Sequence, residues 1–347
     1  MSTAQESGSA WALSSRTARL ARRAAINAAY GGGTAGALGA LGWSVLLAEA
    51  KLARRTIGKP RTTAPSAAGR YGRHAGQPLH LVVIGDSSAA GLGCETPEQT
   101  PGALLAGGVA RELDRSVLLD VVAVTGARSA DLDTQVARAL VRPVDAAVIM
   151  IGGNDVTHRV PTSDAARHLA RAVATLRAAD VQVVVATCPD LGTVKPLLQP
   201  LRRVAAMWSR RLAQAQTVAA VEAGGVTVSL GNLLAPDFAS QPQLWSPDRF
   251  HPSAAGYARL ADVLLPPLLE VLGAEPVTVT VVDSVQDIEV AAVVAARDPG
   301  LEVETLEGSE GAAAVGPGRL ARLRRRRPLA GRGAPDARTA AGSPVDD

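Results

Sequence analysis

The chain has 347 residues, 47% of them hydrophobic but only 3% aromatic, and its 36 Lys and Arg nearly balance 32 Asp and Glu. A net charge of +4 whose excess clusters at the two ends, with aromatics this sparse and no helix-turn-helix or zinc-finger spacing, argues against a nucleic-acid binder. Only 2 cysteines are present and no Cys or His cluster has metal-ligand spacing, so Cys94 and Cys188 read as small buried or semi-buried thiols, a single disulfide being the alternative if the domain is exported, and neither metal nor cofactor is expected.

Residues 1–25 are polar and then basic, with Arg16, Arg19, Arg22 and Arg23. From Asn27 to Ala48 no side chain is charged, and a helix of roughly 20 uncharged residues is long enough to cross a bilayer core. Gly32 and Gly36 stand at the four-residue spacing that suits helix contact in lipid. The expectation over residues 1–55 is a basic region followed by a membrane helix that tethers the rest to the cell envelope, with a cleaved signal, or a glycine-diluted helix that is soluble or lies on the membrane surface, as the alternatives. Arg and Lys flank both sides, which leaves the orientation open. Residues 56–78, rich in Gly, Pro, Ser and Thr, read as a linker.

From Leu79 the pattern alternates short aliphatic runs with amphipathic ones. Strands are expected at Leu79 to Ile84, Leu118 to Val124, Ala146 to Ile151, Val181 to Ala186 and Val226 to Leu230. Helices are expected at Pro101 to Leu113, Ala130 to Leu140, Ser163 to Ala179 and Leu198 to Ala223. Strand-helix alternation implies right-handed crossovers, hence an α/β fold in which a flavodoxin-like, five-stranded parallel sheet lies between two helical layers in one domain over residues 79–273. Beyond it, Val277 to Val282 and Ile288 to Ala296 suggest a small β/α extension over residues 274–310. Residues 311–347, with the run Arg324 to Arg327, read as a disordered tail whose charges are solvated, contact with anionic lipid or cell-wall polymer being the alternative.

The first of these strands ends abruptly at Gly85-Asp86-Ser87, which delivers a serine to the carboxyl edge of the sheet, where ligands bind in open α/β folds. The second leads into Gly126 and the third into Gly152-Gly153-Asn154-Asp155. A glycine N–H with no side chain in the way and an asparagine amide on a tight turn are donors fit for a developing oxyanion. Asp86 and Asp155 read as turn or helix-cap residues. Near the last helix, Asp248 and His251 stand three residues apart, with Pro252 expected in the helix's first turn. A carboxylate at that spacing can fix the imidazole tautomer and leave the other ring nitrogen free to take a proton from serine.

Gly85-Asp86-Ser87, Gly126, Gly152-x-Asn154-Asp155 and Asp248-x-x-His251 together resemble, in order and spacing, the four blocks of the SGNH or GDSL-type hydrolases, over about residues 79–272. The resemblance implies the three-layer fold of that family and an ester hydrolase or lipase. Ser87 would be the nucleophile, His251 the general base and Asp248 its orienting acid. The N–H groups of Ser87 and Gly126 and the side chain of Asn154 would form the oxyanion hole. Ser88 stands where the family name has leucine, and Val124-Thr125 replace the asparagine often found before the second-block glycine. An α/β-hydrolase elbow fits less well, because Ala89 occupies its last glycine position, and no dinucleotide fingerprint is complete. The expected partner is a small-molecule or lipid ester, with room for short acyl chains beside the small residues after Ser87; no nucleic-acid partner is expected, and the oligomeric state is left open. Acyl transfer or deacetylation on an envelope glycan or lipid by the same residues, and a catalytically silent binding module, are the alternatives.

Overall fold

The computed structural model describes residues 63–194, 196–230, 241–275, 278–298, 300–306 and 320–328, together with Ser44 and Glu49. The chain divides into two units, residues 1–55 and 56–347. The expected membrane helix therefore lies outside the described residues, apart from Ser44. Among the described residues no helix is long and apolar enough to cross a membrane.

In chain order, the elements up to the third strand are β1 (Gly69–Tyr71), β2 (Leu79–Gly85), α1 (Ser87–Ala90), α2 (Pro101–Glu112) and β3 (Val117–Val121). Then come α3 (Leu132–Ala139), β4 (Ala146–Met150), α4 (Gly153–Thr157), α5 (Thr162–Ala178), β5 (Gln182–Ala186), α6 (Leu201–Glu222), β6 (Val226–Val228) and α7 (Ala254–Val271). The last are β7 (Thr278–Asp287), α8 (Ile288–Ala295), β8 (Leu301–Thr305) and β9 (Leu320–Pro328).

All seven residues of β2 are buried. Side chains alternate across a strand, so β2 feeds two cores at once. Leu81 and Val83 pack with Leu105 of α2 and Leu260, Leu264 and Leu268 of α7. Val82 and Ile84 face the other way, onto Leu132 of α3 and Leu169, Val173 and Leu176 of α5. Helices thus cover both faces of the sheet, and pairing is parallel throughout β3-β2-β4-β5-β6. This is the expected five-stranded parallel sheet. It is extended at both borders into a nine-stranded sheet of order β1-β3-β2-β4-β5-β6-β8-β9-β7. β1 adds to β3, and β8 to β6, in antiparallel sense.

One expectation is overturned at the second border. The arginine run assigned to a disordered tail lies in β9, which pairs antiparallel with β8 on one side and β7 on the other. Ala321 and Leu323 alternate inward onto Leu301, Val303, Ile288 and Ala291, a short apolar rhythm hidden among the charges. Among the described side chains of this strand, arginines pair with carboxylates. Arg322 forms a two-pronged bond to Asp283, at 2.8 and 2.7 Å. Arg324, only 8% exposed, lies between Glu270 of α7 at 2.9 Å and Glu304 of β8 at 2.6 Å. A guanidinium is tolerated in such a place because it is paired. Beside it in the ladder, burial pushes the Glu302 carboxyl up to about 7, while Arg324 pulls it back down.

Candidate active site

β2 ends in glycine for a steric reason. At φ +142° a Cβ on Gly85 would stand 1.9 Å from the carbonyl oxygen of Met150, so any other residue would push β4 away. Gln135 of α3 then clamps the Gly85 backbone from the other side, accepting from its N–H at 2.7 Å and donating to its carbonyl at 2.9 Å. The Asp86 N–H donates to Met150 O at 3.1 Å, and the Asp86 carboxylate caps α1 by accepting from the Ser88 N–H at 2.8 Å. Asp86 is therefore a cap, as expected, and burial pushes its carboxyl up to about 6. Ser87 leaves this clamp as the first residue of α1, buried and facing the loop before α7.

That loop holds its own shape. Asp248 Oδ1 accepts from Ser246 Oγ at 2.6 Å and from the backbone N–H groups of Phe250 and His251 at 2.8 and 2.9 Å. Its Oδ2 meets His251 Nδ1 at 2.6 Å. Burial alone would raise the Asp248 carboxyl, but the bonds from His251, Ser246 and the backbone outweigh it and hold the group well below the usual carboxylate range. A carboxylate there makes Nδ1 the donor, which leaves the Nε2 lone pair to accept from a hydroxyl. Ser87 Oγ lies 3.0 Å from that nitrogen, 164 positions away in sequence. Phe250 packs edge-on against the imidazole, at 4.9 Å between ring centroids. Ser253 caps α7, so Pro252 precedes the cap and does not occupy the first turn as expected.

Ser87, His251 and Asn154 line one cavity of about 70 Å³ at the carboxyl ends of β2, β4, β5 and β6. Leu191, Val194, Leu230, Trp245 and Phe250 give it an apolar wall. Asn154 Nδ2 donates to Ala127 O at 3.0 Å, which ties the cavity wall to the residue after Gly126. Gly126 itself, exposed at φ +85°, is outside the cavity lining and borders a neighbouring depression with Thr125 and Arg138. The sequence-derived residues Ser87, Asp248, His251 and Asn154 are thus brought together, and Gly126 stands one residue away.

Residues 83–259 match the GDSL-like lipase/acylhydrolase family. The chain belongs to that family. A GDSL-like esterase of Mycobacterium tuberculosis is 42% identical over 258 residues, 69% of this chain and 82% of the relative. Among solved structures, the hydrolase is similar to an acetylxylan esterase from Geobacillus stearothermophilus, with 20% identity and a TM-score of 0.42 over 58% of this chain and 98% of that one. An extracellular lipase from Streptomyces rimosus gives 20% identity and a TM-score of 0.40 over 56% of this chain and 99% of that one. The protein is an ester hydrolase of GDSL type.

Several residues that build the hydrolase's site were missed in the sequence. Asp155, read as a turn or cap residue, is neither: Gly152 is the N-cap of α4. The buried Asp155 carboxylate instead accepts from the Ser129 N–H at 3.1 Å and from Ser129 Oγ at 3.0 Å, holding the Gly126 loop against α4. Burial pushes that carboxyl up, and the Ser129 bonds oppose the shift. Gln216 of α6 makes a second clamp, accepting from Cys188 N–H at 2.7 Å and donating to Ile151 O at 3.0 Å. The available signal was a polar residue on an apolar helical stripe, Gln135 among Leu132, Val136 and Ala139, and Gln216 among Leu212, Ala213 and Ala220. Cys94 and Cys188 are buried and unlinked, as expected, and burial pushes the Cys94 thiol up to about 12, far from a reactive thiolate. Among the described residues no group of three His, Cys, Asp or Glu side chains is placed to hold a metal.

Proposed function

We propose that the protein hydrolyses carboxylic esters through an acyl-enzyme on Ser87. His251 Nε2 takes the Ser87 proton as Oγ adds to the ester carbonyl, and the Asp248 carboxylate stabilises the imidazolium that forms. The carbonyl oxygen, now an anion, is met by the Ser87 N–H and by the amide hydrogen of Asn154 not given to Ala127, with the Gly126 N–H as a third donor once substrate extends past the cavity lining to the loop that Asn154 holds. Collapse breaks the ester bond, and His251 returns its proton to the leaving alcohol. Water then adds to the acyl carbonyl with His251 again as base, releasing the acid and Ser87. The observation that carries this reading is the unbroken path from Ser87 Oγ to His251 Nε2 at 3.0 Å and from Nδ1 to Asp248 at 2.6 Å, set in a buried cavity.

Ser87→Ala should reduce p-nitrophenyl acetate hydrolysis about 10⁴-fold or more and abolish labelling by a fluorophosphonate. Wild-type turnover in that variant would remove Ser87 from the role. The small cavity favours short acyl chains, so kcat/KM should be highest for acetyl to butyryl esters and fall with length. The uncharged stretch Asn27 to Ala48 supports a membrane tether that keeps the enzyme in the cell envelope. The full chain should then stay with the membrane fraction through an alkaline carbonate wash; release by that wash would sink the tether.

A further inference from the structure

Proton transfer from Ser87 to His251 requires two loops with separate supports to agree within about half an ångström. Ser87 is held by β2, β4 and the Gln135 clamp. His251 is held by its own turn around Asp248. The loops also run directly against each other. A Cβ on Gly93 would lie 2.4 Å from Pro252 O and 3.4 Å from the His251 Cβ, so the two loops lie this close only because position 93 carries no side chain.

What draws the loops together is one hydroxyl. Tyr257, fully buried in the first turn of α7, donates from its Oη to Leu92 O at 2.8 Å, across 165 positions. The same Leu92 donates its N–H to the carbonyl oxygen of Ser87 at 2.9 Å. A path of two bonds therefore runs from the helix entered by the histidine loop, through Leu92, to the residue that carries the nucleophile. Packing alone would be served by phenylalanine, since a buried hydroxyl costs free energy unless it is bonded. Burial also pushes the Tyr257 hydroxyl well above its ordinary value, so it stays a donor.

We propose that Tyr257 is a positioning residue for ester hydrolysis, its bond to Leu92 setting the separation at which His251 takes the Ser87 proton. The inference rests on the roles given above to Ser87 and His251. It separates from plain structural support through a second tyrosine, because Tyr71 Oη also donates to a backbone carbonyl, Ala67 O at 2.7 Å, but within its own partly buried segment at β1 and outside the cavity lining.

The test compares full-length wild type, Tyr257→Phe and Tyr71→Phe below their unfolding midpoints, reading p-nitrophenyl acetate kinetics and the rate of fluorophosphonate labelling at Ser87. Tyr257→Phe is expected to lower kcat and the labelling rate about 10- to 100-fold with KM unchanged, because a small misplacement of reacting groups costs that much. Tyr71→Phe is expected to match wild type in both. Wild-type kcat and labelling in Tyr257→Phe, or equal slowing in the two tyrosine variants, would overturn the proposal. A wild-type enzyme that does not label at Ser87 would instead overturn the nucleophile assignment, and the positioning role with it.

Discussion

Two regions of this hydrolase bury charge, and they do it in opposite ways. Behind the cavity-lining His251, Asp248 is stabilised by groups within three residues of itself, the N–H groups of Phe250 and His251, the Ser246 hydroxyl and the His251 ring. In the C-terminal strand, Arg324 is matched by Glu270, 54 positions away on α7, and by Glu304 of the neighbouring strand. The first arrangement is made by one turn and survives wherever that turn is placed. The second exists only once sheet and helix have come together, so it reports on the fold and not on the chemistry.

The contrast gives a double dissociation. Asp248→Asn should have the largest effect, lowering kcat about 10⁴-fold, because the amide no longer enforces the tautomer that frees Nε2. Its circular dichroism should stay that of wild type, with the unfolding midpoint lowered at neutral pH by loss of the charge-assisted bonds that depress the Asp248 carboxyl; a variant that does not fold at all would show that the turn is not self-sufficient. Arg324→Ala should do the reverse. It leaves the Glu270 and Glu304 carboxylates without their shared cation, at a cost of about 3 kcal/mol in denaturant unfolding. Activity per folded molecule should remain at wild-type level, and a loss of kcat in the folded protein would couple the two regions.

Asn154→Ala sharpens the cavity side, with kcat expected to fall about 10²- to 10³-fold if its amide meets the oxyanion. A KM effect alone would reduce Asn154 to a wall of the cavity. The smallest effect concerns pH. Glu302 has its carboxyl raised to about 7 in the folded state, so the folded protein holds a proton that the unfolded chain has already lost. Stability from this group therefore falls as pH rises through about 7, the opposite sense to Asp248, whose depressed carboxyl stabilises at neutral pH and loses its contribution only in strong acid. Glu302→Gln should be neutral below about pH 4, where folded and unfolded chains both hold the proton, and more stable than wild type at pH 8, by on the order of 1 kcal/mol. Equal pH profiles for variant and wild type would show that Glu302 is not the group responsible.

The same contrast explains what the sequence disclosed. Ser87, Asn154, Asp248 and His251 were readable because each sits in a short motif at a strand end or helix entry, where local geometry and chemistry are written together. The parallel strands were readable because each is a continuous apolar run, β2 most clearly. β9 was not, since its inward residues Ala321 and Leu323 are outnumbered by arginines whose acidic partners come from α7, β7 and β8. Gln135 and Gln216 show in the sequence only as polar residues on apolar stripes, and the roles of these two and of Tyr257 were hidden for a related reason: each side chain bonds a backbone group at least 50 positions away.

The place of β9 between β8 and β7 also bears on how the polypeptide is made. Translation delivers β7 first, then β8, and β9 only afterwards, yet β7 has no seat in the sheet until β9 arrives. A nascent chain halted before Leu320 could dock β8 on β6 but would present a bare strand edge open to pairing with other chains. Ribosome stalling within this stretch should therefore yield aggregation-prone intermediates, whereas release past Pro328 lets the newcomer slide between its two elders.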